Sequence, residues 1–221
     1  MTAAEPVRIA VFDLDGTVLD CESQELFVRF LMDKRIAPMS LIMEVALWFT
    51  LHRLGWRFDV PKVHLRLVRR FAGIPPEALG NAIQEFSETT LKVRIRKDAE
   101  RWVSRVRAEG CHIVLLSASL ETMVAGIAES MDVDGYWGTK LNFGPGKLSV
   151  KGEMVYGEAK LRALRSYADL RFSSWRLEYA FGNDYADRFL LSEAAVPIAV
   201  CPSHRLREFA QKNGWDTAIW T

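Results

Sequence analysis

The chain places two carboxylates, Asp13 and Asp15, two residues apart in DLDGT at 13–17, directly behind the apolar run VRIAVF. Two acids in one tight loop can divide a reaction between them. Asp13 can attack phosphorus as a nucleophile, giving an aspartyl-phosphate, while Asp15 protonates the leaving oxygen and then activates water. An anionic nucleophile approaching an anionic phosphoryl group needs positive charge and donors close by. A Mg²⁺ held by carboxylate oxygen, the Lys160 ammonium, the hydroxyls of Thr17 and Ser117, and the loop N–H groups near Gly16 are the candidates. Each residue also has a plainer reading. Alone, DLDGT is a capped turn, Ser117 a strand-end cap and Lys160 a solvated helix lysine, and the place of DLDGT behind an apolar strand counts against the turn.

A third polar cluster, FGNDYAD at 181–187, closes another apolar stretch, LEYAF. It is either a turn decorated with polar residues or a wall of a metal site contributed by Asn183, Asp184 and Asp187.

These clusters need elements to hold them. The run at 7–12 reads as a buried strand. From 22 to 95 the apolar residues fall at helix spacing without a strand: Leu26, Phe27, Phe30 and Leu31, then Leu79, Ile83 and Phe86 behind Pro75 and Pro76. Asp98 reads as the N-cap of a helix that Gly110 ends, and CHIVLLSAS follows as a second buried strand. Beyond it come a helix at 121–131, an extended GYWGTKLNF with a Gly-Pro-Gly turn, and a helix at 157–167. A strand RLEYAF, a helix at 184–193, a strand VPIAV and a helix at 203–213 complete the order. Such alternation predicts an α/β protein: a Rossmann-like, three-layer core in which helices cover both faces of a parallel sheet, with ligands outside the carboxyl ends of the strands. The clusters at 13–17, 117–119 and 183–187 all fall at such ends.

With those residues in place, the sequence resembles the haloacid dehalogenase (HAD) superfamily. DLDGT, LLSAS at 115–119, Lys160 in YGEAK, and FGNDYAD look like its four motifs in order, over nearly the whole chain. SASLETMVAGIAESMDVDGYWGTKL followed by YGEAKLRALRSY is similar to the phosphoserine-phosphatase-like (HAD-IB) branch. The resemblance implies a HAD-like core at 1–21 and 96–221, with a type 1 α-helical cap inserted at 22–95. It makes Asp13 the nucleophile and a metal ligand. Asp15 becomes the general acid/base, with its main-chain carbonyl on the metal, and Lys160 the group that neutralises the phosphoaspartate. Thr17, Ser117 and Ala118 take the phosphate-binding positions, and Glu22 takes the place of a cap glutamate that meets a substrate amino group. An acid at the second position of the loop favours hydrolysis over dehalogenation or ion pumping. The last motif departs from the usual Gly-Asp: without a gap Asn183 takes the metal position and Asp187 the supporting acid, while Asp184 is the alternative ligand. An Asn oxygen can still bind Mg²⁺, with one negative charge fewer.

The resemblance therefore implies a Mg²⁺-dependent phosphatase acting on a small-metabolite or lipid-type phosphate monoester. A weakly active or inactive phosphometabolite-binding protein, phosphoserine phosphatase proper and a phosphotransferase are the alternatives. No arginine singles itself out for a substrate carboxylate among Arg53, Arg57 and Arg66, and the aromatic- and Met-rich 22–95 segment leaves room for an apolar ester. Trp48 and Phe49, with Trp56 and Phe58, read as packing inside the helical module.

Composition sets the frame. A formal charge of +1 over 221 residues gives no pull toward nucleic acid or anionic membrane, and 49% hydrophobic residues describe a globule with a sizeable core. Three dispersed cysteines without CxxC spacing, and four histidines without HxxxH spacing, argue against a disulfide framework or a zinc site. A reducing cytoplasm is the expected compartment. The apolar window 39–51, broken by Glu44, falls well short of a membrane span.

Overall fold

Strand β1 (Val7–Phe12) is buried on both faces: Ala10 and Phe12 enter one hydrophobic cluster, Ile9 and Val11 the other. That two-sided burial is why its sequence is a continuous apolar run instead of an alternating one. The computed structural model describes residues 5–53, 60–144 and 147–221. Around β1 run β2 (His112–Leu120), β3 (Gly135–Thr139), β6 (Trp175–Gly182), β7 (Val196–Val200) and β8 (Asp216–Ala218), in the order β3-β2-β1-β6-β7-β8. Every pairing in this sheet is parallel. The chain first builds leftward from β1 to β3, then crosses back to β6 on the other side of β1. The carboxyl end of β1 is thus the point where the winding reverses, the usual place for a ligand crevice in such sheets.

Helices α5 (Lys97–Ala108) and α6 (Glu121–Ser130) cover the face that carries Phe12 and Leu115. The other face, with Val11 and Leu116, lies under α7 (Glu158–Asp169), the single turn α8 (Arg188–Leu191) and α9 (His204–Asn213). Phe12 and Phe181 stack across β1 and β6 at 4.2 Å between ring centres.

Between Leu19 and Ile95 the described residues are helical: α1 (Ser23–Asp33), α2 (Met39–Arg53), α3 (Val60–Phe71) and α4 (Pro76–Phe86), followed by short turns to Arg94. The insertion leaves and rejoins the sheet side by side. Leu19 bridges Ile95 antiparallel, Asp20 N–H donates to the Arg94 carbonyl, and Arg96 N–H donates to the Val18 carbonyl. Phe27, Leu31 and Phe86 of these helices share one apolar cluster with Phe12 and Leu115 of the sheet. No helix among the described residues is long and apolar enough to cross a membrane.

Several sequence expectations shift. GYWGTKLNF is two strands: β3 in the main sheet, and β4 (Leu141–Gly144), which pairs antiparallel with an unforeseen β5 (Lys147–Val150). The tip of the Gly-Pro-Gly turn between them lies outside the described residues. The expected helix at 184–193 is a 3₁₀ turn (Tyr185–Asp187) running into α8. Asp98 is not the N-cap of α5. Arg96 holds that place, and Asp98 accepts from the N–H and hydroxyl of Thr221. Trp48 packs partly buried against the main cluster, whereas Trp56, Arg57, Phe58 and the side chains of Phe49 and Arg53 lie outside the described residues. Arg66 is exposed and pairs with Glu44.

Candidate active site

Three strand ends converge. DLDGT turns sharply off β1, with Gly16 at φ +72 letting the loop reverse. SAS ends β2, and FGNDYAD leaves β6. Asp13 N–H donates to the Phe181 carbonyl, clamping the first loop onto the third.

Lys160 projects from the first turn of α7 into this junction and is only 4% exposed, so it is not a solvated helix lysine. Its Nζ lies 2.6 Å from Asp13 Oδ1 and 2.6 Å from Asp187 Oδ1. Thr17 Oγ1 donates to the other Asp13 oxygen at 3.1 Å. Burial alone would lower the Lys160 pKa, but the two carboxylates raise it, and the ammonium stays charged. Asp13 nevertheless has its own pKa pushed up to about 7, chiefly by burial; Lys160 opposes the rise and the neighbouring Asp187 charge adds to it. The two shifts fit one arrangement. Lys160 feels two acids, whereas Asp13 feels half of one lysine and a second acid beside it.

Asp187 is fully engaged. One oxygen takes Lys160, and the other accepts the N–H groups of Asn183 at 3.2 Å and Asp184 at 3.0 Å. Asp184 caps the same turn, its Oδ1 accepting Ala186 N–H at 2.9 Å. Gly182 has no side chain because Asp187 occupies that space: a Cβ there would lie 2.7 Å from the Asp187 Cβ.

Asn183 instead reaches across to DLDGT. A Cβ on Gly16 would meet its Nδ2 at 2.0 Å. The residues present fit a hard divalent cation: the Asp13 carboxylate, the Asp15 carbonyl and the Asn183 carboxamide are all oxygen donors, the kind Mg²⁺ takes together with waters. Among the described residues no three His, Cys, Asp or Glu side chains group as a metal cluster. A set with one acid side chain, one main-chain oxygen and one amide is of that mixed kind. Glu22 stands at the exposed rim, and its pKa is raised to about 8, first by desolvation and then by the charges of Asp15, Asp13 and Asp184. Water at that rim screens part of the repulsion.

Two residues that sequence reasoning missed hold Asp15. Ser23 N–H, at the N-terminus of α1, donates to Asp15 Oδ1 at 2.6 Å, and the Ser119 hydroxyl donates to Oδ2 at 2.5 Å. The two serine hydroxyls are themselves 2.7 Å apart. The free N–H groups of a helix start suit an anion, so the insertion helps to hold the second acid. Ser117, fully buried, accepts Ser119 N–H at 3.0 Å and keeps its own proton to donate. The carbonyl of Ala118 accepts the Thr139 hydroxyl. Ser119 had a signal, standing two residues from Ser117 on the same side of an extended strand; Ser23 had none within its own segment.

A parallel three-layer sheet with an acid-pair loop at its winding reversal, a buried lysine and an amide-acid loop defines a class of α/β hydrolase. The chain belongs to the haloacid dehalogenase-like hydrolases, whose family model matches residues 10–192, so the resemblance to that superfamily holds. It is 22% identical over 217 residues to histidinol-phosphatase of Neisseria meningitidis serogroup C, spanning 94% of this chain and 96% of that one. It is 28% identical over 109 residues to phosphoserine phosphatase SerB1 of Mycobacterium tuberculosis, spanning 48% of this chain. The chain matches only 35% of the length of the Mycobacterium tuberculosis relatives. The fold is that of a Bordetella pertussis Tohama I protein of unknown function (TM-score 0.84, 22% identity, 97% of this chain and 99% of that one). It is also that of a phospho-aspartyl intermediate analogue of phosphoserine phosphatase (TM-score 0.70, 21% identity, 97% and 94%).

Proposed function

We propose that the chain is a Mg²⁺-dependent phosphatase that hydrolyses a phosphate monoester through an aspartyl-phosphate on Asp13. The observation that carries this reading is the buried Lys160, shared at 2.6 Å between Asp13 and Asp187 at the mouth of the acid loop. Asp13, its Oδ1 neutralised by Lys160 and its Oδ2 oriented by Thr17, attacks phosphorus. Ser117 donates a hydrogen bond from its hydroxyl to a phosphoryl oxygen. Asp15, held by Ser23 and Ser119, gives its proton to the leaving oxygen and then takes one from the water that opens the phosphoaspartate. Asp13, the Asp15 carbonyl and Asn183 are the residues that would hold Mg²⁺, which supplies charge neutralisation at the phosphoryl oxygens. The helices at 22–95 act as the cap over this pocket, and 1–21 with 96–221 form the core.

The names of relatives support phosphate monoesters as the substrate class: phosphoserine and histidinol phosphatases share motifs or fold with this chain. Release of phosphate from p-nitrophenyl phosphate tests the reading, with wild type compared to Asp13→Asn and to the wild type in chelator. The expected loss in both is on the order of a thousandfold. Equal turnover in all three would overturn it. Phosphoesters that bind without turnover at millimolar Mg²⁺ would favour the competing reading of a phosphometabolite-binding protein, for which Asn183 is the one motivating residue.

A further inference from the structure

Between the insertion and the sheet lies a narrow pocket of about 40 Å³, walled by Phe27 and Val28 of α1 and by Leu67 and Phe71 of α3. No charged side chain lines it, and of its two polar ones, Gln24 and Thr139, the threonine hydroxyl is already committed to the Ala118 carbonyl. An apolar cavity left empty costs stability in proportion to its size.

Its location gives the void a use. Gln24 follows Ser23, whose N–H holds one oxygen of Asp15, and Ala118 and Leu120 flank Ser119, whose hydroxyl holds the other. The pocket therefore adjoins the residues that hold the acid/base. A leaving group departs on the side of the group that protonates it, and Gln24, Ala118 and Leu120 bring this apolar wall beside the residues that hold that group. On α3 the neighbouring Arg66 turns away to Glu44 at the surface. No cationic side chain in the wall would pair with a carboxylate.

Resting on the phosphatase reading, we infer that the substrate is a phosphate monoester whose leaving group carries a short hydrocarbon segment next to the ester oxygen, and that this pocket selects it over polar esters such as phosphoserine. The space takes about three water-sized groups, hence about three methylenes. A wider groove shares Leu120 and Thr139 with the pocket. Chains longer than the pocket extend toward that groove, whose charged side chains, Lys92, Glu121 and Lys140 among them, offer no further gain.

The test is a ladder of n-alkyl phosphates from methyl to octyl, with O-phosphoserine and glycerol 3-phosphate beside it, read as kcat/KM with the full chain and Mg²⁺. We expect a gain of roughly fourfold per methylene for about three methylenes and then a plateau. The two polar esters should fall at or below the ethyl ester. Val68→Phe, which fills the pocket from α3, should flatten the ladder, bringing kcat/KM for the butyl ester down to that for the methyl ester. The same ladder of alkylphosphonates, read by calorimetry, needs no turnover. A slope there without hydrolysis of any ester would refute the phosphatase reading and keep the pocket. Hydrolysis of short esters, with a flat ladder in both assays, would refute the pocket and keep the phosphatase.

Discussion

Replacing Lys160 with methionine keeps the length of the side chain and removes the charge that Asp13 and Asp187 share. The perturbation can be sized from the site: Nζ stands 2.6 Å from each acid, and all three side chains are nearly fully buried. Removing one partner of a buried ion pair leaves uncompensated charge and costs about 3–5 kcal/mol. For a chain of this length each kcal/mol lowers Tm by about 2–4 °C, so the variant should melt roughly 6–20 °C below wild type at pH 8. The pH dependence has a definite sign. Asp13 already has its folded-state pKa raised to about 7 with the lysine present, and without the lysine it rises further. A carboxyl raised in the folded state subtracts stability as pH climbs from its unfolded value near 4 up to the folded pKa, and the penalty is absent below that window. Both proteins share the penalty up to about pH 7, and only the variant goes on losing stability above it. Thermal unfolding followed by near-UV circular dichroism in chelator, at pH 6 and pH 8, reads the gap. A fall of less than about 2 °C at pH 8, or an equal gap at both pH values, would refute the idea that Lys160 neutralises the two acids.

Other perturbations test neighbouring parts of the site. Asn183→Asp restores a negative charge beside the DLDGT loop and should tighten Mg²⁺ by about tenfold in calorimetry; unchanged affinity would move the metal to Asp184. Gly16→Ala places a Cβ against the Asn183 side chain at a positive φ, which should cost about 1–3 kcal/mol in urea unfolding. Adding Asn183→Ala should recover part of that loss, and no recovery would show that the contact is not the cause. Ser119→Ala removes one of the two donors to Asp15 and should lower kcat about tenfold with KM little changed, since a hydrogen bond to a charged group is worth about 1.5–3 kcal/mol. An unaltered kcat would free Asp15 from that constraint.

How much of this was legible in the sequence follows from where each residue's partners lie. VRIAVF and CHIVLLSAS read directly as strands because burial on two faces leaves no polar alternation, and helical periodicity marked the inserted segment. KLSV of β5 and DTA of β8 are cues of four and three residues, the second mostly exposed on a sheet edge, and neither carries a strand pattern. At 184–187 a capping box folds the chain into a 3₁₀ turn before any helix can run, a local choice that apolar spacing does not report. Asp13, Asp15, Lys160 and Asn183 could be singled out because they fall, in order, in or near polar clusters behind apolar strands and match a four-motif pattern. Ser23 could not, and Ser119 offered only its place two residues from Ser117: the two serines acquire their role when residues 96 positions apart meet over Asp15.

The strand order has a consequence for synthesis. Central strand β1 is made before both its neighbours, and the lysine that neutralises Asp13 lies 147 positions downstream. At ~5–20 residues per second the ribosome delivers that lysine roughly 7–30 s after the acid. Through that interval the helical insertion, whose contacts are local, can form first while the sheet waits for strands distant in sequence. A nascent chain stalled before residue 160 would carry helices over a half-built sheet with its acid loop unneutralised, the stage at which a chaperone has apolar surface to hold.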